Sequence, residues 1–322
     1  MPDDVYRAHT YEDLINALPT FFGFVPRECV IAVAVSGPYC AFGFRLRNDL
    51  PPRGSESRLA AELAPHLLRN GTEGFFVFVL SSDAERARTM ALAMRDALPA
   101  RRDWLTIWAD DHRIWADVPG HPPEGEPYTR DAHHEAIVRA VANGQVILPD
   151  RSDLAREVAA APEPRRSWLD RAHDVVLDRF LQRAAAADET TFLRSECARV
   201  ECLVTRALGG SALDDGELVE LAVLTSSINV RDAVWLRIDR DNAPAMHALW
   251  AAVSRVAADD FAPAPLCLTS FAAWQMGDGA RALVALDRVR EVEPRYRMGI
   301  LLQQTLDAGL HPDSWSAIDA SA

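Results

Sequence analysis

Residues 74–99 read GFFVFVLSSDAERARTMALAMRDALP. The first seven are apolar with no alternation, the pattern of a short strand covered on both faces. Two serines and an aspartate interrupt the run, and from Ala84 the apolar residues fall at helical spacing. Ser82 with Glu85 three residues on has the form of a capping box, which predicts a helix beginning at that point. A buried strand feeding directly into an amphipathic helix is half of a crossover unit. Helical crossovers within one sheet make the strands they join parallel.

The segments on either side fit the same layer. CVIAVAV (29–35) is a second run without alternation. YCAFGFRLRN (39–48) alternates, with Phe42, Phe44 and Leu46 on one face and Gly43, Arg45 and Arg47 on the other. It is predicted as a half-covered strand forming a hairpin with the run before it. SESRLAAELAPHLLRNG (55–71) is an amphipathic helix ended by Asn70-Gly71. DWLTIWADDHRIWADV (103–118) reads as two strands around a turn at Asp110 to His112. Near the start, AHTYEDLINALPTFFG (8–23) is a short helix capped by Thr10, with Asp13 near its positive end. Pro19 and Gly23 are expected to end it, and Phe21, Phe22 and Phe24 to staple it onto the sheet. The fold class for residues 1–160 is therefore α/β, with a mixed, partly parallel sheet.

After the proline-rich PGHPPEGEPY (119–128) the strand patterns stop. A linker is expected around Ala161 to Arg166, and residues 161–322 read as an all-α domain of helical hairpins. Within it, Gly277, Ala282, Leu286, Val289 and Pro294 of GDGARALVALDRVREVEP (277–294) stand where the second half of a tetratricopeptide repeat has its glycine, small, packing and terminal proline residues. Leu268, Phe271 and Trp274 supply the preceding helix.

Composition narrows the function classes. The 322 residues carry a net charge of −13, with arginine as the only fixed cation and no Lys/Arg-rich block. Such a surface argues against nucleic acid as a partner. No apolar run approaches the ~20 residues of a membrane helix. The opening MPDDVYRAHT lacks a secretory pattern, which gives a cytoplasmic expectation. Cys29, Cys40, Cys197, Cys202 and Cys267 have no metal-pair spacing and read as small buried hydrophobes. Without lysine there is no lysine-bearing phosphate loop, and no nucleophile elbow is present. No cofactor, metal site or catalytic residue is assigned.

The strand order supplies one candidate site. If the strands ending near residues 47, 80 and 109 are parallel, their carboxyl ends share one sheet edge. There lie Arg47 and Asp49; Ser81, Ser82 and Asp83; Asp110, Asp111 and His112. Such an edge is the usual ligand crevice of open α/β sheets, and a helix start there favours an anion. The same residues also read as ordinary caps and turns. His133-His134 sit on adjacent helical positions, which cannot both face one metal. Asp131 with Glu135 or His134 makes at most half a site and reads better as a solvated first turn. His173 reads as a packed core histidine. Trp104, Trp108 and Trp115 either stack on a ligand or fill the core.

Several stretches together resemble the actinobacterial family called domain of unknown function 4192. They are LINALPTFFGFVPRECVIAVAVSG (14–37), FRLRNDLP (44–51), the PPEG loop (122–125), AVANGQVILPDR (140–151), INVRDAVWLRI (228–238) and the segment from Leu268 to Leu310. Asn48 departs from the apolar residue that the family pattern has there. The resemblance implies an actinobacterial, cytoplasmic protein and brings no activity. Two functions are carried forward. The first is a non-catalytic binding or adaptor protein that holds a protein or peptide partner in a groove of the C-terminal helices. The second is an enzyme or sensor for a small anionic metabolite at the sheet edge.

Overall fold

The computed structural model describes residues 6–37, 40–70, 74–99 and 103–315. The side chains of Phe42 and Trp104 lie outside the described residues. The chain divides into two compact units, Met1–Arg151 and Ser152–Ala322. The Ala161–Arg166 stretch lies within the second.

The first unit begins with α1 (Tyr11–Ala17) and α2 (Pro19–Phe22). Thr10 caps α1 in a full capping box with Asp13. Pro19 does not end the helical path as expected. It opens α2, because a first-turn position needs no N–H. Gly23, at φ +71°, then turns the chain. Phe22 and Phe24 are buried. Gly23 and Val25 are also tied by backbone hydrogen bonds to Leu148 (2.8 and 2.9 Å).

β1 (Cys29–Ser36), β2 (Ala41–Asp49), α3 (Glu56–Asn70), β3 (Gly74–Leu80), α4 (Ala84–Ala97), β4 (Asp103–Ala109), β5 (Arg113–Ala116), β6 (Glu126–Pro127) and α5 (Glu135–Ala142) follow. The sheet has the order β2-β1-β3-β4-β5-β6. β1 is antiparallel to both β2 and β3, while β3 and β4 are parallel. β2, β3 and β4 therefore run in one direction, joined by the crossover helices α3 and α4. The sheet is mixed and partly parallel. Val30, Ala32, Ala34, Phe75, Val77 and Val79 pack one face against Ala60, Ala64 and Leu67 of α3 and Ala87, Met90, Ala91 and Met94 of α4. On the alternate positions Ile31, Val33, Phe78 and Ile107 are equally buried. Burial on both faces explains the unbroken apolar runs. Phe44 and Leu46 of β2 are only partly buried, as an edge strand with one covered face should be.

Two local readings change. The N-cap of α4 is Asp83, whose carboxylate accepts from the Arg86 N–H (3.0 Å), and not Ser82. α5 starts at Glu135, so His133 and His134 precede it in a turn where Asp131 accepts from the His133 N–H (2.8 Å).

The second unit is built, among the described residues, of helices alone. They are α6 (Arg151–Val158), α7 (Arg165–Ala186), α8 (Glu189–Leu208), α9 (Asp215–Leu224), α10 (Ile228–Trp235), α11 (Ala243–Val256), α12 (Pro263–Gln275), α13 (Gly279–Val292) and α14 (Arg297–Asp307), with one turn of 3-10 helix at Asp259–Phe261 before α12. Every residue of α12 is buried. α11, α13 and α14 pack around it. Leu268, Phe271 and Trp274 of α12 and Ala282, Leu286 and Val289 of α13 all lie in this core. α14 comes close to α13 at Gly299, where an added Cβ would stand 2.8 Å from Val289 Cγ1. On α8, Glu196 is fully buried and receives two hydrogen bonds from Arg183 (2.8 and 2.7 Å). His173 is also buried. Its Nδ1 bonds the Leu169 carbonyl (2.8 Å) and its Nε2 accepts from the Ala258 N–H (3.3 Å). The cysteines are unbridged, and Cys202 is exposed, contrary to the expectation of burial.

Candidate functional site

The shared direction of β2, β3 and β4 puts the eight sequence-derived candidates at one end of the sheet. The start of antiparallel β1 lies at the same end and delivers Glu28. This residue has φ +44°, a conformation that costs a non-glycine side chain free energy. Its carboxylate accepts from Ser82 N (2.7 Å), Ser81 Oγ (2.9 Å), Ser82 Oγ (3.0 Å) and Arg86 Nη1 (3.2 Å). Arg86 Nη2 also donates to the carbonyls of Leu50 (3.3 Å) and Pro51 (3.2 Å). The start of α4 does attract an anion, and the anion is the chain's own Glu28. Burial raises the Glu28 pKa, but the bonds from Ser82 and Ser81 and the Arg86 charge outweigh it and hold the carboxyl below its ordinary range.

The other candidates are engaged separately. Arg47 pairs with Asp49 (2.6 Å), donates to the Arg27 carbonyl (3.3 Å) and lies over the Phe24 ring at 5.7 Å. Asp83 caps α4 and pairs with Arg53. Asp110 accepts from the N–H groups of His112 and Arg113, both at 2.7 Å, and so forms the turn between β4 and β5. Asp111 pairs with Arg130 (3.5 Å), whose Nε donates to the Tyr128 hydroxyl (3.3 Å). The Tyr128 hydroxyl donates in turn to the Asp110 carbonyl (2.7 Å). His112 is exposed, and the hydrogen bonds it makes are from its backbone, its N–H to Asp110 and its carbonyl from the Tyr128 N–H (3.0 Å). Behind the edge, burial pushes the Cys29 thiol up to about 11 against the opposing pull of Arg47. It is a protonated thiol at neutral pH, not a nucleophile. Trp108 and Trp115 stack on each other with centroids 6.4 Å apart.

The sequence reading missed Glu28, Arg86, Tyr128 and Arg130. Arg86 had a signal, three positions after Asp83 on the cap. Glu28 had none, since neither its positive φ nor its reach to residues more than fifty positions away leaves a local pattern. Among the described residues no group of three or more His, Cys, Asp or Glu side chains is placed to hold a metal ion.

A second candidate lies in the helical unit. Trp235 of α10, Phe271 of α12, Leu301, Leu302, Gln304 and Thr305 of α14, and Leu310 and Trp315 beyond it line a cavity of about 330 Å3. Volumes of that size accept small ligands or a few side chains. Trp235 and Phe271 meet edge to face, 5.6 Å apart at 90°. Trp274 Nε1 donates to the Leu310 carbonyl (3.0 Å) and fixes the chain as it leaves α14. Leu301 is 57% and Leu310 45% exposed, so the rim of this cavity is apolar and open to solvent.

The molecule is thus a two-unit protein, a mixed α/β sheet whose polar edge is internally paired and a helical unit with an apolar groove. The chain belongs to the family described as "Domain of unknown function (DUF4192)", whose model matches residues 12–313. No curated protein and no solved structure matches the chain. No helix among the described residues is long and apolar enough to cross a membrane.

Proposed function

We propose that this is a non-catalytic, cytoplasmic adaptor whose α10/α12/α14 groove holds an apolar peptide segment of a protein partner. The reading rests on one observation, the open apolar cavity flanked by half-exposed Leu301 and Leu310. A segment with one or two large apolar anchors suits its volume, in the manner of helix-lined peptide grooves. The α12/α13 pair, with a tetratricopeptide-like arrangement of Gly277, Ala282 and Pro294, would be its rigid wall. The alternative, an anionic metabolite at the sheet edge, is disfavoured because Glu28 already answers the start of α4.

Panning a random peptide display library on the full chain tests the reading. Selected peptides should carry apolar or aromatic anchors. They should lose at least tenfold in affinity on Leu301→Asp and nothing on Arg58→Ala, an exposed change in the first unit. Failure to select any binder, or binders indifferent to Leu301→Asp, would refute it.

A further inference from the structure

The groove is already partly filled by the chain itself. Gly309, at φ +62°, reverses the path after α14, with its N–H bonded to Leu306 O (2.9 Å) and the Leu310 N–H to Thr305 O (3.2 Å). The following residues, His311–Trp315, come back so that the Trp315 ring stacks on Trp235 (5.0 Å, 27°) and meets Phe271 edge-on (5.1 Å, 71°). Two residues earlier Asp313 pairs with Arg240, and both side chains are more than half exposed. Within this stretch the Asp313 carboxylate also meets His311 Nδ1 (3.2 Å), and local hydrogen bonds include Trp315 N to Pro312 O (3.0 Å) and Ser314 Oγ to His311 O (2.6 Å).

We propose that His311–Trp315 is an intramolecular occupant of the groove, and that the partner displacing it presents the same pair of features. Those features are a carboxylate for Arg240 and, two residues on, a large aromatic ring for the Trp235 and Phe271 faces. This rests on the groove reading above and specifies its ligand. The chemistry of the occupant identifies the ligand because both contacts are side-chain contacts that a second peptide can reproduce. An aromatic ring seated in an apolar pocket is the usual anchor of a protein interface. An exposed ion pair adds orientation and little strength. The strap is short, its ion pair is exposed and only Pro312 within it is buried, so it is exchangeable, while the Trp274–Leu310 bond keeps its root in place.

The probe is a fluorescein-labelled, amide-capped peptide of the sequence of His311–Trp315, titrated by polarisation into full-chain proteins. Trp315→Ala should bind it at least tenfold more tightly than the unmodified chain. Changing the peptide's aspartate to asparagine should weaken binding to Trp315→Ala about fivefold, and adding Arg240→Ala should abolish that difference. Asp313→Asn loosens the strap while leaving Trp315 and the rings it meets unchanged, so it should gain at least threefold. It carries the test if Trp315→Ala unfolds by circular dichroism. Equal affinity for unmodified and strap-loosened chains, or no binding to either folded variant, overturns the inference. If display-selected peptides still require Leu301 while the strap peptide fails, the strap falls and the groove reading stands.

Discussion

Replacing Glu28 removes the carboxylate that joins the start of β1 to the start of α4. Its four donors are Ser82 N, Ser81 Oγ, Ser82 Oγ and Arg86 Nη1, at 2.7–3.2 Å. A hydrogen bond to a charged group contributes about 1.5–3 kcal/mol when well buried. The Glu28 side chain is 44% exposed, so water recovers much of this, and about 1 kcal/mol for each of two bonds is a fair discount. A carboxylate at a helix start adds about 0.3–1 kcal/mol. Glu28→Ala should therefore cost about 3 kcal/mol. Because residue 28 stands at φ +44°, Glu28→Gly should be more stable than Glu28→Ala by about 1 kcal/mol, the reverse of the usual order. Hydrogen exchange of residues 82–90 reads the effect locally, and 3 kcal/mol is roughly a hundredfold loss of protection. The folded carboxyl titrates below its ordinary value, so the contribution is present above the unfolded pKa and is lost as pH falls through the folded one. A loss in Glu28→Ala of less than tenfold, or an alanine variant more protected than the glycine one, would refute this account of the sheet edge.

Three further outcomes follow from the helical unit. Burial lowers the pKa of His173, so the unfolded chain binds more protons below about pH 6.5. Stability should therefore fall as pH drops from 7 to 5, and a urea-melt series should show a shallower slope for His173→Gln. Gly299→Ala should be destabilising by about 1–2 kcal/mol despite alanine's better helix propensity, since its Cβ would meet Val289 Cγ1 at 2.8 Å. Adding Val289→Ala should remove that overlap in a double-mutant cycle. Arg183→Met strands the fully buried Glu196 carboxylate and should cost about 3–5 kcal/mol by thermal or urea melts, whereas replacing both partners by apolar residues should cost far less.

The sheet was legible because burial on both faces leaves no room for polar residues in β1 and β3, and because α3 and α4 as crossovers fix the direction of the strands they join. The helical unit was legible from spacing alone, down to the burial of Phe271, Trp274 and Ala282 on facing helices. The sites were not. Arg47, Ser82 and Asp110 stand at one end of the sheet, but topology does not say what their polar atoms touch. Glu28 reaches them through a backbone conformation with no sequence signature. Ser82 was misread as a cap since its hydroxyl donates to that distant carboxylate, leaving the role to Asp83. Trp315 has no place in the apolar spacing of α14, and only the fold sets it beside Trp235, eighty positions earlier.

The burial of α12 has a consequence for the order in which the protein is made. All thirteen of its residues, Pro263–Gln275, are covered in the finished fold, two of the covering helices being α13 and α14. Those two follow it off the ribosome. At about 5–20 residues per second, a chain that has just completed α12 waits roughly 2–6 s for Asp307, the end of α14. During that interval the most apolar helix of the unit has α11 on one side and water or another surface on the other. A stop codon or a protease cut between α12 and α14 would make the interval permanent. The resulting fragment would carry the α/β unit and an adhesive helix, so loss of α14 should appear in the cell as aggregation, not as a shorter soluble protein.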